Sequence, residues 1–224
     1  MSAAEAKPSQ SPRPEGDRFA ERRRELADAA IQTLSELGYA RTSLREIAQN
    51  SAFSHGVLHY YFTDKVDLIT YCVQQYKAQC VQRYDQIVSK ARTPERLADG
   101  FADGLVATLR DEGRLHRLWY DLRSQALFDE SFRADVLEID ESLERMIWRI
   151  VGRYAQLQGV SPTATSAVAY TMFDGFFQMA LLRYLAGHEE ALEELREHAF
   201  LILAHTTCTP MYVEAAGRRP SAVS

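Results

Sequence analysis

The chain has 224 residues, of which 46% are hydrophobic and 25% charged, with a formal net charge of −5 at pH 7. This composition is typical of a globular protein and excludes a disordered, collagen-like or small disulfide-stapled chain. The cysteines Cys72, Cys80 and Cys208 have no metal-ligand spacing, so we expect core thiols in a cytoplasmic protein without a metal or cofactor. The apolar run from Thr163 to Leu182 is interrupted by Asp174, which predicts a buried helix and no membrane span.

The first half of the chain shows helical periodicity after a proline-rich start. Residues 1–17 contain Pro8, Pro12 and Pro14 and are expected to be a disordered tail. Apolar residues from Leu26 to Leu37 form one helical stripe, which Gly38 is expected to end. The sequence then predicts a helix at 43–51 that begins with a Ser43–Glu46 capping box, a short helix at 55–61, and a long helix from 64 towards 88.

The second half of the chain is predicted to be helical as well. Thr93-Pro94 and Ser161-Pro162 have the pattern of a helix start, in which a hydroxyl caps the first turn and proline follows. Asp99-Gly100 and Asp103-Gly104 resemble turns, which weakens the prediction for the first of these helices. We expect helices at 94–111, 114–127, 131–157, 162–186 and 189–208. The fold class is therefore all-α with about nine helices: a three-helix domain at 18–63, a helical domain at 64–208 and a flexible tail at 209–224.

Two short helices joined by a tight turn at 52–54 suggest a helix-turn-helix unit. Gly56 and Val57 leave little bulk at the start of the second helix, as entry into the major groove requires. His55 can bond a base, whereas Tyr60 and Lys65 can reach phosphates. The candidate DNA-binding residues are Ser43, Arg45, Ser54, His55, Gly56, Val57, His59, Tyr60, Tyr61 and Lys65. From the residues alone a packed aromatic corner is an alternative, and the arginines clustered at 13–24 are only a weak sign of nucleic-acid binding.

The order of these residues resembles a known motif. The segments TSLREIA at 42–48 and SxGxLxYYFxxKxxL at 54–68 resemble the helix-turn-helix signature of the TetR/AcrR family of bacterial transcriptional regulators, over about residues 20–70. The resemblance implies that the third helix reads the major groove, that Lys65 contacts phosphate, and that the C-terminal helices dimerise and bind an effector. Ala52 stands where the family usually has glycine, which predicts either a positive φ or a different turn, and His59 replaces a common tyrosine.

Candidate effector and dimer residues come from the C-terminal helices. An apolar effector cavity is expected among aromatic and methionine side chains. Its candidate residues are Trp119, Tyr120, Phe128, Met146, Asp174 and Phe177. Asp174 is expected to pair with Arg123 or Arg149, with a ligand contact as the alternative. The candidate dimer residues are Met172, Phe176, Met179, Leu192, Leu195, Ala199 and Ile202, with a purely core role as the alternative.

These features together predict a homodimeric repressor, released from an inverted-repeat operator on double-stranded DNA by an unidentified small-molecule effector, with no membrane partner. No catalytic motif is present: we find no G-x-S-x-G, H-E-x-x-H, glycine-rich phosphate loop or dinucleotide fingerprint. The alternatives are a helical partner-binding adaptor and an enzyme with dispersed acid residues.

Overall fold

A computed structural model describes residues 15–38 and 42–207, and within these ranges the chain folds into eight helices without a strand. The helices are α1 (Glu15–Leu37), α2 (Leu44–Gln49), α3 (His55–Tyr61), α4 (Lys65–Lys90), α5 (Pro94–Gln125), α6 (Arg133–Gln158), α7 (Ser166–Leu185) and α8 (Ala191–Thr207). The all-α prediction is confirmed.

The three N-terminal helices form a small unit around the apolar stripe of α1. Leu26, Ala30 and Leu34 are fully buried, and the Gly38 amide donates to the Leu34 carbonyl (2.8 Å). Gly38 has φ +76°, which confirms the predicted helix end, because this conformation favours glycine. The capping box at the start of α2 is confirmed too, since the Glu46 amide bonds the Ser43 hydroxyl and the Glu46 carboxylate accepts from the Ser43 amide.

Helix α5 runs through the middle of the C-terminal bundle, where it packs against α4, α6, α7 and α8. Its side chains Phe101, Leu109 and Trp119 are almost completely buried. Helix α5 also contacts α1, and α4 contacts both α1 and α6, so the two parts of the fold share a continuous core.

The predicted break between helices 94–111 and 114–127 is wrong, because α5 is one helix. The glycines that suggested turns serve helix packing instead. A Cβ at Gly100 would lie 3.1 Å from Ile87, and one at Gly104 would lie 3.1 Å from the Tyr84 ring. These glycines therefore let α4 approach α5 closely.

Helix α7 begins later than predicted. Thr165, not Ser161, caps its first turn, with the Val168 amide donating to the Thr165 hydroxyl. The Thr163 amide donates to the Thr206 carbonyl (2.8 Å) near the end of α8, so this short segment is tied to α8 before α7 begins. Among residues 15–38 and 42–207, no helix has the length and apolar character needed to cross a membrane.

A glycine packed against a neighbouring helix and a glycine in open space should respond in opposite ways to substitution by alanine. Gly104→Ala should lower the free energy of unfolding by about 1 kcal/mol, because the Tyr84 ring is fixed by Phe101 and by a hydrogen bond to Thr108 and cannot yield. Gly152→Ala, in open space on α6, should raise it by roughly 0.5–1 kcal/mol. Urea unfolding of both variants measures the difference, and equal stabilisation would contradict the packing argument.

Candidate nucleic-acid interface and effector cavity

Helices α2 and α3 are held together by buried apolar side chains on their inner faces. Ile47 from α2 and Leu58 from α3 are completely buried, and Phe62 closes the end of α3. The turn between the helices contains no residue with positive φ, so Ala52 adopts a different turn from one that needs glycine. The second of the two predicted possibilities for Ala52 is the one observed.

The outer face of α3 presents polar and aromatic side chains to solvent. His55, Gly56, His59 and Tyr60 are exposed, and Tyr60 is 72% exposed. The rings of His55 and His59 lie 4.4 Å apart, one turn from each other on the same face. A Cβ at Gly56 would meet nothing within 4 Å, so the start of α3 is free of bulk. Val57 is half-buried beside this face.

Several candidate DNA-binding residues also have a structural role. The hydroxyls of Ser43 and Ser54 cap α2 and α3. The Tyr61 ring is half-buried and packs on Phe19 of α1 at 4.8 Å between ring centroids. Lys65 is half-buried and begins α4 directly after its cap Asp64.

The outer surface of α2 contributes one further candidate. Arg45 is exposed and is free of hydrogen bonds and ion pairs to any residue that the structure describes.

Part of the arginine cluster on α1 is engaged inside the domain. Arg23 forms an ion pair with Asp67 of α4 and lies over the Tyr71 ring, 4.4 Å from its centroid. Arg22 lies over the Phe53 ring at 4.9 Å. These two arginines therefore fix α1 to its neighbours, whereas Arg18 and Arg24 are exposed. The tail predicted at 1–17 is wrong for residues 15–17, which form the start of α1. Its remainder at 1–14, with Arg13, lies outside the described residues, as do Cys208 and the tail predicted at 209–224.

A cavity of about 60 Å³ lies between α4, α5, α6 and α7. Five of the six candidate effector residues line it: Trp119, Tyr120, Met146, Asp174 and Phe177. The prediction for Phe128 is wrong, since this side chain is 86% exposed in the turn that follows α5. The chain leaves the helix at Ala126, which carries Phe128 out of the bundle.

Asp174 is held by the wall of the cavity, as one of the two alternatives predicted. Its carboxylate forms an ion pair with Arg123 and accepts a hydrogen bond from the Tyr120 hydroxyl (2.9 Å). Burial, together with the negative charge of Asp174, raises the pKa of Tyr120 well above its usual value, so the phenol stays protonated. Arg149 pairs instead with Asp85, at 2.8 Å.

Lys77 is the main cavity residue that sequence reasoning missed. Its side chain is only 4% exposed, and its ammonium lies 5.4 Å from the centroid of the Trp119 ring. Burial lowers the pKa of Lys77 to about 8. Val73 and Cys80 stand one turn away on the buried side of α4, so the helical period contained the signal that this lysine points inward.

A second buried network adjoins Lys77. The Tyr76 hydroxyl donates to Glu112 (2.7 Å) and lies 2.6 Å from His116 Nδ1. Because the phenol proton goes to Glu112, the His116 ring acts as the donor to Tyr76. Burial, and next the charge of Lys77, lower the pKa of His116 well below its usual value, so this ring is neutral at pH 7. Arg83 forms an ion pair with Glu112 and completes the network.

The cysteines and histidines contribute to packing and hydrogen bonding. Cys72 and Cys80 are buried free thiols, as predicted. His198 stacks on Phe176 at 4.3 Å between ring centroids, and His205 bonds the Leu201 carbonyl. Within the described ranges no three His, Cys, Asp or Glu side chains are grouped so that they could hold a metal ion.

The candidate dimer residues divide into two groups. Leu195, Ala199 and Ile202 are buried in the core of the chain itself, which is the core role predicted as the alternative. Met179 is exposed, and Met172, Phe176 and Leu192 are half-buried. The structure adds exposed apolar residues that were not predicted: Val168, Leu182, Leu185 and Leu201. Val168, Met172, Met179 and Leu182 lie along one side of α7 at helical spacing.

Residues 26–72 match the family described as bacterial regulatory proteins, tetR family. The chain is 33% identical over 88 residues to the HTH-type transcriptional regulator BetI of Brucella melitensis, a match that covers 39% of this chain and 44% of BetI. The chain thus spans less than half the length of this relative. Such relatives are transcriptional regulators rather than enzymes. The helix-turn-helix domain of the chain is therefore similar to that of the tetR family of bacterial regulatory proteins.

Solved structures share the fold over most of the chain. FadR of Bacillus subtilis, in complex with stearoyl-CoA, has a TM-score of 0.67 at 18% identity and covers 81% of this chain and 98% of its own. A protein from Saccharomonospora viridis in complex with choline has a TM-score of 0.66 at 19% identity and covers 84% and 98%. At these identities the likeness establishes the fold.

Replacing Lys77 tests the cost of the buried ammonium. Lys77→Met should raise the free energy of unfolding at pH 7 by up to roughly 3 kcal/mol, since burial lowers the pKa of Lys77 from its ordinary 10.5 to about 8. Between pH 8 and 10.5 the unfolded chain binds more protons than the folded one, so the native protein gains stability with rising pH and the advantage of the variant shrinks. Urea unfolding at pH 7 and pH 10 measures both effects.

The control for this prediction is Lys90→Met, an exposed lysine at the end of the same helix. It removes a lysine charge that is exposed to solvent and not buried, so its effect on the free energy of unfolding should be small at both values of pH. A Lys77→Met protein that is less stable than the native chain at pH 7 would show that the ammonium has a stabilising partner.

Proposed function

We propose that the chain is a homodimeric transcriptional repressor that binds an inverted-repeat DNA operator through α3 and is released from it by a small-molecule effector in the cavity. The observation that carries this proposal is the outer face of α3. That face is exposed and polar, has no bulk at its N-terminal end, and is backed by the buried residues Leu58 and Phe62.

The geometry of α3 suits the major groove. Gly56 allows the helix backbone to approach base edges, and His55 and His59 can donate to or accept from bases. Tyr60 projects into solvent at the end of the same face, where its hydroxyl can bond a phosphate. Arg45 on α2 and Lys65 at the start of α4 supply positive charge on either side.

A dimer supplies the second half-site that one helix-turn-helix unit lacks. A monomer reads too few bases to select one site in a genome, so two copies related by a two-fold axis would place two α3 helices about 34 Å apart, or a multiple of this. We assign the interface to the exposed apolar residues of α7 and α8, with Leu182 and Leu201 in place of the buried Leu195 and Ile202.

Effector release requires that the cavity be coupled to the DNA-binding helices. Helix α4 lines the cavity at Lys77. Closer to its N-terminal end, the same helix forms the Asp67–Arg23 ion pair with α1. Arg117 of α5 donates to the carbonyls of Ser35 and Glu36 at the end of α1. A ligand that displaces α4 or α5 would therefore move α1, with a coupling typically of about 1–3 kcal/mol. Solved relatives in fold bind stearoyl-CoA or choline, ligands of different charge, so the likeness supports an effector without choosing one.

Selection of binding sites from random duplex DNA tests operator recognition. The native chain should enrich one inverted repeat, and Gly56→Glu should lose it, because the new carboxylate would stand where α3 approaches the DNA. Gly56 has nothing within 4 Å of its Cβ position, so the variant should fold normally.

The matched control is Gly152→Glu, which adds the same charge at an open position on α6 and should select the same repeat as the native chain. A folded native dimer that enriches no sequence at low salt, or a Gly56→Glu variant that enriches the same repeat, would overturn the proposal that α3 reads DNA. An adaptor or an enzyme would be indifferent to both substitutions.

Charge placed on the exposed face of α7 tests the dimer. Leu182 is 72% exposed, and Leu182→Glu should convert the dimer to monomer in sedimentation equilibrium, since a dimer would have to bury the new carboxylate. Leu137→Glu places the same charge at an exposed leucine of α6 and should leave the dimer intact. If the two variants dimerised with equal affinity, the assignment of the interface to α7 and α8 would be contradicted.

A further inference from the structure

We infer that the cavity selects an organic carboxylate, whose head group is bound by the Lys77 ammonium and the Trp119 indole N–H and whose apolar body lies along α6 and α7. This inference rests on the proposed function only in calling the ligand an effector. The binding chemistry follows from the cavity itself.

Two hydrogen-bond donors in the cavity wall lack acceptors. The Trp119 Nε1–H is buried and has no hydrogen-bond partner. The Lys77 ammonium is free of hydrogen bonds and ion pairs to the residues that the structure describes, and its contacts are with the faces of Trp119 and Tyr76. Buried donors of this kind are costly and are normally paired. The ammonium is 5.4 Å from the centre of the Trp119 ring, so the two donors belong to adjacent side chains of one cavity wall.

The remaining polar groups of the wall already bind one another. Tyr120 donates to Asp174, which Arg123 neutralises. Tyr170 donates to Asp140, and Arg123 Nε lies 3.0 Å from the same carboxylate. Among the aromatic hydroxyls, that of Tyr84 bonds Thr108 (3.1 Å). The two groups of this wall singled out above as lacking a partner, the Lys77 ammonium and the Trp119 N–H, are both donors, which a cationic ligand cannot satisfy.

The charged groups around the cavity do not give the Lys77 ammonium the acceptor that it lacks. Three carboxylates, those of Glu112, Asp140 and Asp174, are matched by Arg83, Arg123 and Lys77, so the wall is close to neutral overall. The arginines take the direct contacts, and Lys77 interacts with the acids only over a distance. A carboxylate bound at Lys77 would give the ammonium the short contact that it lacks.

The rest of the cavity accepts a hydrocarbon body. Leu143, Met146 and Ile147 of α6 face Phe173 and Phe177 of α7 across it. The volume of about 60 Å³ is small beside the roughly 300 Å³ of a typical ligand pocket, so a longer ligand must separate these side chains. Methionine, which is flexible, suits such a change.

Calorimetric titration of the DNA-free protein with straight-chain carboxylates of two to ten carbons tests the inference. Each carboxylate is compared with the primary amide and the trimethylammonium compound of the same chain length. The native chain should bind one or more carboxylates at least roughly 30-fold more tightly than either analogue, as expected for a buried charge-assisted pair. Equal binding of the amide, tighter binding of the trimethylammonium compound, or no binding of any carboxylate would overturn the inference.

Variants locate the head group. Lys77→Met should weaken the best carboxylate at least roughly 30-fold and leave the amide nearly unchanged, while Trp119→Phe should weaken it roughly fivefold. The control Lys90→Met should bind as the native chain does. Full carboxylate affinity in Lys77→Met would exclude this lysine as the anchor, and melting curves confirm that each variant is folded.

These outcomes are independent of those of operator selection. Carboxylate binding without an enriched DNA repeat would reject the proposed repressor and keep the ligand class. An enriched repeat without carboxylate binding would reject the ligand class and keep the proposed repressor.

Discussion

The burial of one ammonium group determines the chemical character of the C-terminal part of this fold. Lys77 lies on α4 and faces α5, α6 and α7, and no described residue offers it a short polar contact. Because of its position, the cavity between α4, α5, α6 and α7 is lined by a cationic group as well as by apolar side chains. The neighbouring acids form ion pairs with arginines. The inferred preference of the site for a ligand therefore rests on the lysine and on the adjacent indole.

The same helix connects this site to the DNA-binding unit. Asp67 and Lys77 are ten residues apart on α4, which is about 15 Å along a helix. Asp67 holds Arg23, and Arg117 bonds the carbonyls at the end of α1 that the helix itself leaves without partners. These polar contacts add to the apolar packing of α1 on α4 and α5, so a shift of α4 relative to α5 would change the angle of α1.

Sequence patterns predicted the helix-turn-helix unit best because its determinants are local. The capping box at Ser43 and the left-handed Gly38 depend on residues within one turn. Asp174 also stood out, as a charge in an apolar run. The exposed residues of α7 were harder to predict, because α7 is apolar on every side and its sequence cannot show which residues, such as Leu182, the other helices leave uncovered. Lys77 was visible in the period of α4, yet a lysine in a stripe otherwise typical of a core was passed over.

Two features of the isolated chain are unfavourable in opposite ways. Inside it, the Trp119 indole N–H is buried without an acceptor, and the Lys77 ammonium is 4% exposed without a short polar contact to a described residue. Outside it, Met179 and Leu182 present apolar surface to water. Polar groups without partners and apolar groups without cover both reduce stability, and each is relieved by a different addition: an anion in the first case and a second copy of the chain in the second. In the proposed dimer both additions would contact α7 or its immediate neighbours, so a ligand that separated α6 from α7 would also alter the spacing of the two α3 helices.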